Sequence, residues 1–226
     1  MALPTIPAYA LPTSADLPTG KVSWHLEPSR AAVLVHDMQE YFVGVYGDRP
    51  SPLPAVVSAI QQVLERARAL KMPVVYTAQP PAQTPQQRRL LTDFWGPGLA
   101  DEQTARVIAP LAPEPGDIRL TKWRYSAFQR SNLAELLAAE GRDQLVICGV
   151  YAHIGVQTTA VDAFMGDVQA FVLADAVADF SREHHDGALR YVAERCGRVL
   201  DTATALAELV DTSNDDQASS VAKGAA

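Results

Sequence analysis

Cysteine is scarce in this chain: Cys148 and Cys196 are the only two in 226 residues. That leaves room for at most one disulfide. Cys148 lies in an apolar strand pattern and Cys196 in a helical one, so both read as buried free thiols. No apolar run approaches the roughly 20 residues needed to span a bilayer. Met1 to Pro18 mixes proline with small residues but lacks the charged start and unbroken apolar core of a signal peptide. A cytoplasmic protein without a membrane partner is expected. Clusters of lysine and arginine are missing too, and the net charge of −7 removes the electrostatic basis for binding nucleic acid. No Gly-x-Gly-x-x-Gly follows a strand and no serine stands in a Gly-x-Ser-x-Gly elbow, so dinucleotide and serine-hydrolase readings have no support.

What the chain does have is a set of apolar runs, each ending on a polar side chain that a buried strand has no reason to carry. Ala31 to Val35 leads to His36 and Asp37, Pro73 to Thr77 to Gln79, Ile118 to Leu120 to Lys122, and Leu145 to Val150 to Tyr151. Further strands are expected at Ala170 to Ala174 and Arg198 to Leu200. Between them lie helical patterns: Leu53 to Leu70, a short one near Asp101 to Ala109, one from an N-cap at Ser131 to Gly141, Ile154 to Met165, one starting at Ser181, and Thr202 to Leu209. Alternating strands and helices predict a single α/β domain over residues 1–210: three αβα layers around a six-stranded, mostly parallel sheet. Such sheets bind ligands beyond the carboxyl ends of their strands, so Asp37, Gln79, Lys122 and Tyr151 should converge. Pro80 to Gly98, rich in proline, glutamine and glycine, carries Arg88, Phe94 and Trp95 and reads as a lid. Asp211 to Ala226 reads as a disordered tail, and no appended second domain is expected.

Asp37 follows an apolar strand, where an ionised carboxylate is costly unless paired, and Lys122 is its natural partner. A structural salt bridge is one reading of the pair. The other is catalytic: a carboxyl group in a cleft walled by Phe42 and Trp95 can act as a general acid. His36, His153, His184 and His185 raise the question of metal, but strand alternation turns His36 and Asp37 apart, and His184 and His185 start a distant helix; no metal site is expected. Cys148, inside its strand, should be an inert thiol rather than a nucleophile. Lys122 is expected to face the ligand, and Trp123 the core or an interface.

Six segments in order resemble the isochorismatase branch of the cysteine-hydrolase-like superfamily. They are His36-Asp-Met-Gln-Glu-Tyr-Phe42, Tyr76-Thr-Ala-Gln-Pro80, Asp93-Phe-Trp-Gly-Pro-Gly98, Thr121-Lys-Trp-Arg-Tyr-Ser-Ala-Phe128, Cys148-Gly-Val-Tyr-Ala-His-Ile-Gly155 and Ala174-Asp-Ala-Val-Ala-Asp-Phe-Ser181. In amidase relatives a catalytic cysteine stands where this chain has Gly155, and the missing nucleophile is the mark of the isochorismatase branch. The resemblance implies cleavage of an enolpyruvyl ether to release pyruvate, without a covalent intermediate, a metal or an organic cofactor. It implies Asp37 and Lys122 as catalytic residues, and Gln79, Arg88, Tyr151, Gly155, Phe42, Trp95 and Tyr125 as substrate-binding ones. Tyr151 would donate a hydroxyl hydrogen bond, Gln79 would orient substrate or water, and Gly155 would leave open the space of the absent thiol. A homodimer is also implied.

Two small-molecule substrates fit: isochorismate, on the way to catechol siderophores, and 2-amino-2-deoxyisochorismate, on the way to phenazine-type antibiotics. Lys21-Val-Ser-Trp24 and Thr159-Ala-Val-Asp-Ala-Phe-Met165 look more like the siderophore-pathway enzymes and favour isochorismate. A degenerate binding protein on a hydrolase scaffold is the non-enzyme alternative, countered by the presence of Asp37, Lys122 and Gln79.

Overall fold

The structure, a computed structural model, describes residues 3–47 and 51–210, so the tail expected over Asp211 to Ala226 lies outside the described residues. The strands are β1 (Ala31–His36), β2 (Val74–Ala78), β3 (Ile118–Thr121), β4 (Gln144–Val150), β5 (Gln169–Ala178) and β6 (Gly197–Leu200). They form one sheet in the order β3-β2-β1-β4-β5-β6, and every pairing is parallel. The helices are α1 (Glu40–Val43), α2 (Leu53–Ala69), α3 (Pro85–Arg88), α4 (Leu91–Trp95), α5 (Glu102–Ala105), α6 (Leu133–Ala139), α7 (Gln157–Met165), α8 (Arg182–Arg195) and α9 (Thr202–Glu208).

Period-2 alternation splits the strand residues between two cores. Val33 and Val35 of β1, Cys148 and Val150 of β4, and Phe171 and Leu173 of β5 pack with Val56, Ile60, Val63 and Leu64 of α2 and with Ala205 of α9. Ala32 and Leu34, Leu145 and Ile147, and Val172 face the other way, onto α6, α7 and α8 through Leu133, Leu137, Ala160, Ala163, Leu189 and Val192. These are the three expected layers. Burial of each large aliphatic side chain contributes roughly 1.5–3 kcal/mol, which is why runs buried on both faces can be so uniformly apolar. Among the described residues no helix is long and apolar enough to cross a membrane.

Several boundaries differ from expectation for local reasons. Ser131 is not the N-cap of α6; Asn132 is, while Ser131 Oγ accepts from the Leu133 amide at 3.3 Å and donates to the Ala127 carbonyl. The helix expected near Asp101 to Ala109 shrinks to α5, capped by Asp101, which accepts from Thr104 N at 2.8 Å. The helix after β4 begins with one wide turn, Ala152–Val156, before α7. β5 runs four residues beyond Ala174, past Asp175, whose carboxylate leaves the strand to accept from Thr202 N and Oγ1 at 2.8 and 2.7 Å. Ser181 caps α8 as expected, accepting from His184 N.

The strand order reverses its winding between β1 and β4, and the crevice of a doubly wound sheet opens at that switch point, beyond the carboxyl ends of the strands. Asp37 and Tyr151 are the first residues past those two ends, and Gln79 and Lys122 the first past β2 and β3.

Candidate active site

Asp37 leaves β1 with φ of +52°, a left-handed conformation that aspartate tolerates better than most side chains. The break has a direct consequence. Strand alternation would send His36 and Asp37 to opposite faces, but both line the same cavity, with His36 Nδ1 3.8 Å from Asp37 Oδ2. Asp37 is 5% exposed. Its Oδ1 accepts from Thr77 Oγ1 at 2.8 Å, its amide donates to the same hydroxyl oxygen at 3.2 Å, and its Oδ2 accepts from Lys122 Nζ at 2.8 Å. Lys122 is held by its own amide, which donates to the Ala78 carbonyl at 2.8 Å. Burial lowers the Lys122 pKa while the contact with Asp37 opposes the shift. The salt bridge is therefore real, and it lies in the cavity wall.

Gln79 is pinned by a residue that sequence reasoning did not single out. The buried side chain of Gln39 accepts from the Gln79 amide at 2.8 Å and donates to the Gln79 carbonyl at 2.8 Å and to the Ala105 carbonyl at 2.7 Å. The Gln79 side-chain oxygen accepts from Arg88 Nη1 at 3.3 Å, with Gln83 Nε2 at 3.5 Å. The group it can offer a ligand is its NH2.

Arg88 comes from α3 in the segment expected to form a lid, and it is 4% exposed. Its Nε donates to the Gly96 carbonyl at 2.5 Å, and among the described residues no carboxylate pairs with it. Burial lowers its pKa, yet a guanidinium remains charged. Gly98, at φ +83°, makes room for it: a Cβ there would fall 2.5 Å from Arg88 Cζ. A buried cation without an anion is an invitation to a bound one. From the same segment Leu91 and Trp95 reach the cavity and Phe94 points to solvent, 64% exposed.

Trp95 Nε1 donates to Tyr125 Oη at 2.8 Å, so two aromatic side chains expected at the substrate are tied to each other. Phe42 and Tyr151 pack edge to face at 6.0 Å between centroids. Tyr151 was expected to donate its hydroxyl to a ligand; instead it donates to the Phe42 carbonyl at 2.7 Å, because that buried carbonyl lies within its reach. Gly155 also departs from expectation. The space in front of it is not open: a Cβ built there would fall 2.6 Å from His36 Nε2, so the imidazole fills the volume assigned to a missing thiol. His36 Nδ1 is 2.7 Å from the Val150 carbonyl and Nε2 3.3 Å from the Tyr125 carbonyl. Burial, then Lys122, push its pKa down to about 4, and the single proton of the neutral ring goes to the shorter contact.

All nine residues expected at the site line one cavity, joined by Leu3, His36, Tyr41, Leu91, Val150 and Ile154. A largely apolar lining with a few convergent polar groups suits a small organic ligand. Thr77 and Gln39 were also missed; a threonine in an apolar run and a glutamine two residues past Asp37 were the available signals. His153, His184 and His185 pair with Asp179, Ser181 and the Ala174 carbonyl respectively, and among the described residues no three metal-ligating side chains gather. Trp123, half-buried, carries the Arg130 guanidinium over its ring at 5.4 Å. Cys148 is fully buried, its thiol pushed up to about 12 by burial.

The isochorismatase domain family matches residues 31–204. The isochorismatase of Bacillus subtilis (strain 168) is 49% identical over 225 residues, covering 99% of this chain and 72% of that protein. The phenazine biosynthesis protein PhzD of Pseudomonas fluorescens is 52% identical over 204 residues, covering 88% and 96%. Among solved structures, a cysteine hydrolase from Pseudomonas syringae pv. phaseolicola 1448A superposes with a TM-score of 0.77 at 26% identity, covering 85% of this chain and 97% of that one. The chain is a hydrolase belonging to the isochorismatase family.

Proposed function

We propose that this enzyme hydrolyses the enolpyruvyl ether of isochorismate, giving 2,3-dihydro-2,3-dihydroxybenzoate and pyruvate, with Asp37 as the general acid. A vinyl ether hydrolyses once its terminal methylene carbon is protonated. The oxocarbenium ion that results is captured by water, and the hemiketal collapses to pyruvate and the ring alcohol. Carbon protonation is the slow step and calls for a positioned acid in a site that excludes bulk water. The observation that carries the reading is the presence in one cavity of a carboxyl, Asp37, and a buried guanidinium, Arg88, that no carboxylate pairs with among the described residues. Arg88 would hold a substrate carboxylate. The substrate's negative charge, brought beside Asp37, would favour the protonated carboxyl, while Lys122 orients it and Phe42 and Trp95 keep water out.

Between the two substrates, the hydrogen-bonding capacity of the cavity favours the hydroxyl compound. Arg88 and Lys122 bring two cations to the cavity wall, and Gln79 offers its NH2. A hydroxyl can accept from such donors, whereas the ammonium of 2-amino-2-deoxyisochorismate would add positive charge to a site that already holds both cations. The similarity to a phenazine biosynthesis protein keeps the amino compound as the second reading. Parallel steady-state kinetics on both compounds with pyruvate detection decide: a higher kcat/KM for the amino compound overturns the assignment, and no pyruvate from either overturns the activity. A homodimer is part of this reading, with Phe164 and Met165 at the end of α7 offering exposed apolar surface; sedimentation as a monomer would contradict it.

A further inference from the structure

The cavity has one wall that comes from outside the α/β sandwich. Leu3, half-buried against the core, lines it together with Asp37, although among the described residues no strand or α-helix precedes β1. Behind Leu3 the segment is fastened by particular contacts. Ile6 is 3% exposed and its amide donates to the Val45 carbonyl at 3.2 Å. The Tyr9 hydroxyl oxygen accepts from the Asp179 amide at 2.8 Å. Tyr9 Oη also lies 3.1 Å from His185 Nδ1; since His185 Nε2 faces the Ala174 carbonyl at 2.9 Å and donates to it, Nδ1 is bare and the Tyr9 hydroxyl donates to it.

Asp179 carries this anchorage to the site. Its fully buried carboxylate accepts from the His153 amide at 2.6 Å, from His153 Nδ1 at 2.5 Å and from the Phe180 amide at 2.7 Å. His153 lies in the turn that also supplies Gly155, and the Phe180 ring packs on Tyr151 at 4.6 Å and on Trp95 at 6.1 Å. One residue thus receives Tyr9 through its main chain and fixes the cavity wall through its side chain.

We propose that the N-terminal segment completes the active site, with Leu3 a substrate-binding residue and Tyr9 the positioning residue that holds it in place. Leu3 supplies an apolar surface that shields the reacting ether from water, and Tyr9 makes that surface a fixed part of the wall. The substrate-binding role rests on the proposed function; the positioning role does not.

The test uses Leu3→Ala, Tyr9→Phe and the double variant in the full chain, with thermal melts confirming that each is folded. With isochorismate, Leu3→Ala should raise KM by on the order of tenfold, the scale of lost apolar pocket contacts, with kcat within about twofold. Tyr9→Phe should raise KM in the same direction. The double variant should be no worse than the worse single, because both act through the same contact. An unchanged KM for Leu3→Ala, or fully additive effects, would overturn the proposal. Hydrogen exchange gives a readout independent of substrate: Tyr9→Phe should speed exchange at the Asp179 amide and over residues 151–156. Unchanged exchange overturns the positioning role, even if wild-type enzyme releases no pyruvate and the functional reading itself has failed.

Discussion

His36 and Gly155 exclude one another: the imidazole occupies the volume that any side chain at position 155 would need, 2.6 Å from His36 Nε2 to the nearest substituent such a residue must carry. The chain therefore lacks more than a nucleophile at this position. It has filled the nucleophile's place with a buried ring whose Nδ1 holds the Val150 carbonyl at 2.7 Å.

Gly155→Cys should for that reason fail to build an amidase and should damage the native enzyme. Overpacking of this kind costs typically 1–3 kcal/mol, and the displaced ring would enter the cavity beside Asp37. We expect a lower melting temperature and at least a tenfold loss in kcat/KM, with His36→Ala restoring part of the stability in the double variant. Wild-type stability and kinetics in Gly155→Cys would refute the steric exclusion.

Acid stability follows from the same ring. The His36 pKa falls from 6.5 to about 4, first through burial and then through Lys122. Between those pH values the unfolded chain binds a proton that the native state refuses. This contribution is therefore full above pH 6.5 and is lost as the pH falls toward 4, amounting to about 3 kcal/mol. Chemical denaturation at a series of pH values should show that His36→Asn loses less stability over this window than the wild type. Equal slopes for the two proteins would refute it.

Arg88 separates stability from function. Its guanidinium is buried without a carboxylate partner among the described residues, an arrangement that costs the free protein stability. Arg88→Met should therefore melt at the wild-type temperature or above it, while KM rises at least tenfold, the lower end for loss of a charge-assisted hydrogen bond. A marked loss of stability with KM unchanged would make Arg88 a structural residue.

Strands that are buried on both faces must be apolar throughout, and this is why β1 and β4 could be delimited in the sequence almost to the residue, with Asp37, Gln79, Lys122 and Tyr151 just past the strand ends. Geometry decided by a single dihedral angle was not legible: the alternation rule separates His36 from Asp37, and the φ of +52° at Asp37 reunites them. Hydrogen bonds chosen among near neighbours were equally hidden, as when the Tyr151 hydroxyl donates to Phe42 rather than to the cavity. Leu3 and Tyr9 lie in a proline-rich stretch without period, and their role depends on contacts such as that between Tyr9 and Asp179, 170 residues apart in sequence.

The buried pair of Asp37 and Lys122 offers the sharpest division between structural and catalytic roles. As a structural salt bridge, it should lose stability when either partner is removed, since an isolated buried charge costs about 3–5 kcal/mol. Lys122→Ala fits that expectation under either reading, leaving the Asp37 carboxyl with Thr77 alone. Asp37→Asn separates the two. It keeps the size of the side chain and an oxygen to accept from Thr77 or Lys122, but it removes the transferable proton. If Asp37 protonates the vinyl carbon, turnover should fall by roughly 10²- to 10⁴-fold while substrate still binds. The wild-type reaction in deuterated water should place one solvent deuteron in the methyl group of pyruvate, read before that group exchanges. An Asp37→Asn enzyme that folds, binds substrate and keeps more than about a tenth of wild-type turnover falls short of that loss. Such an enzyme would return the pair to a structural role and assign the acid to another group.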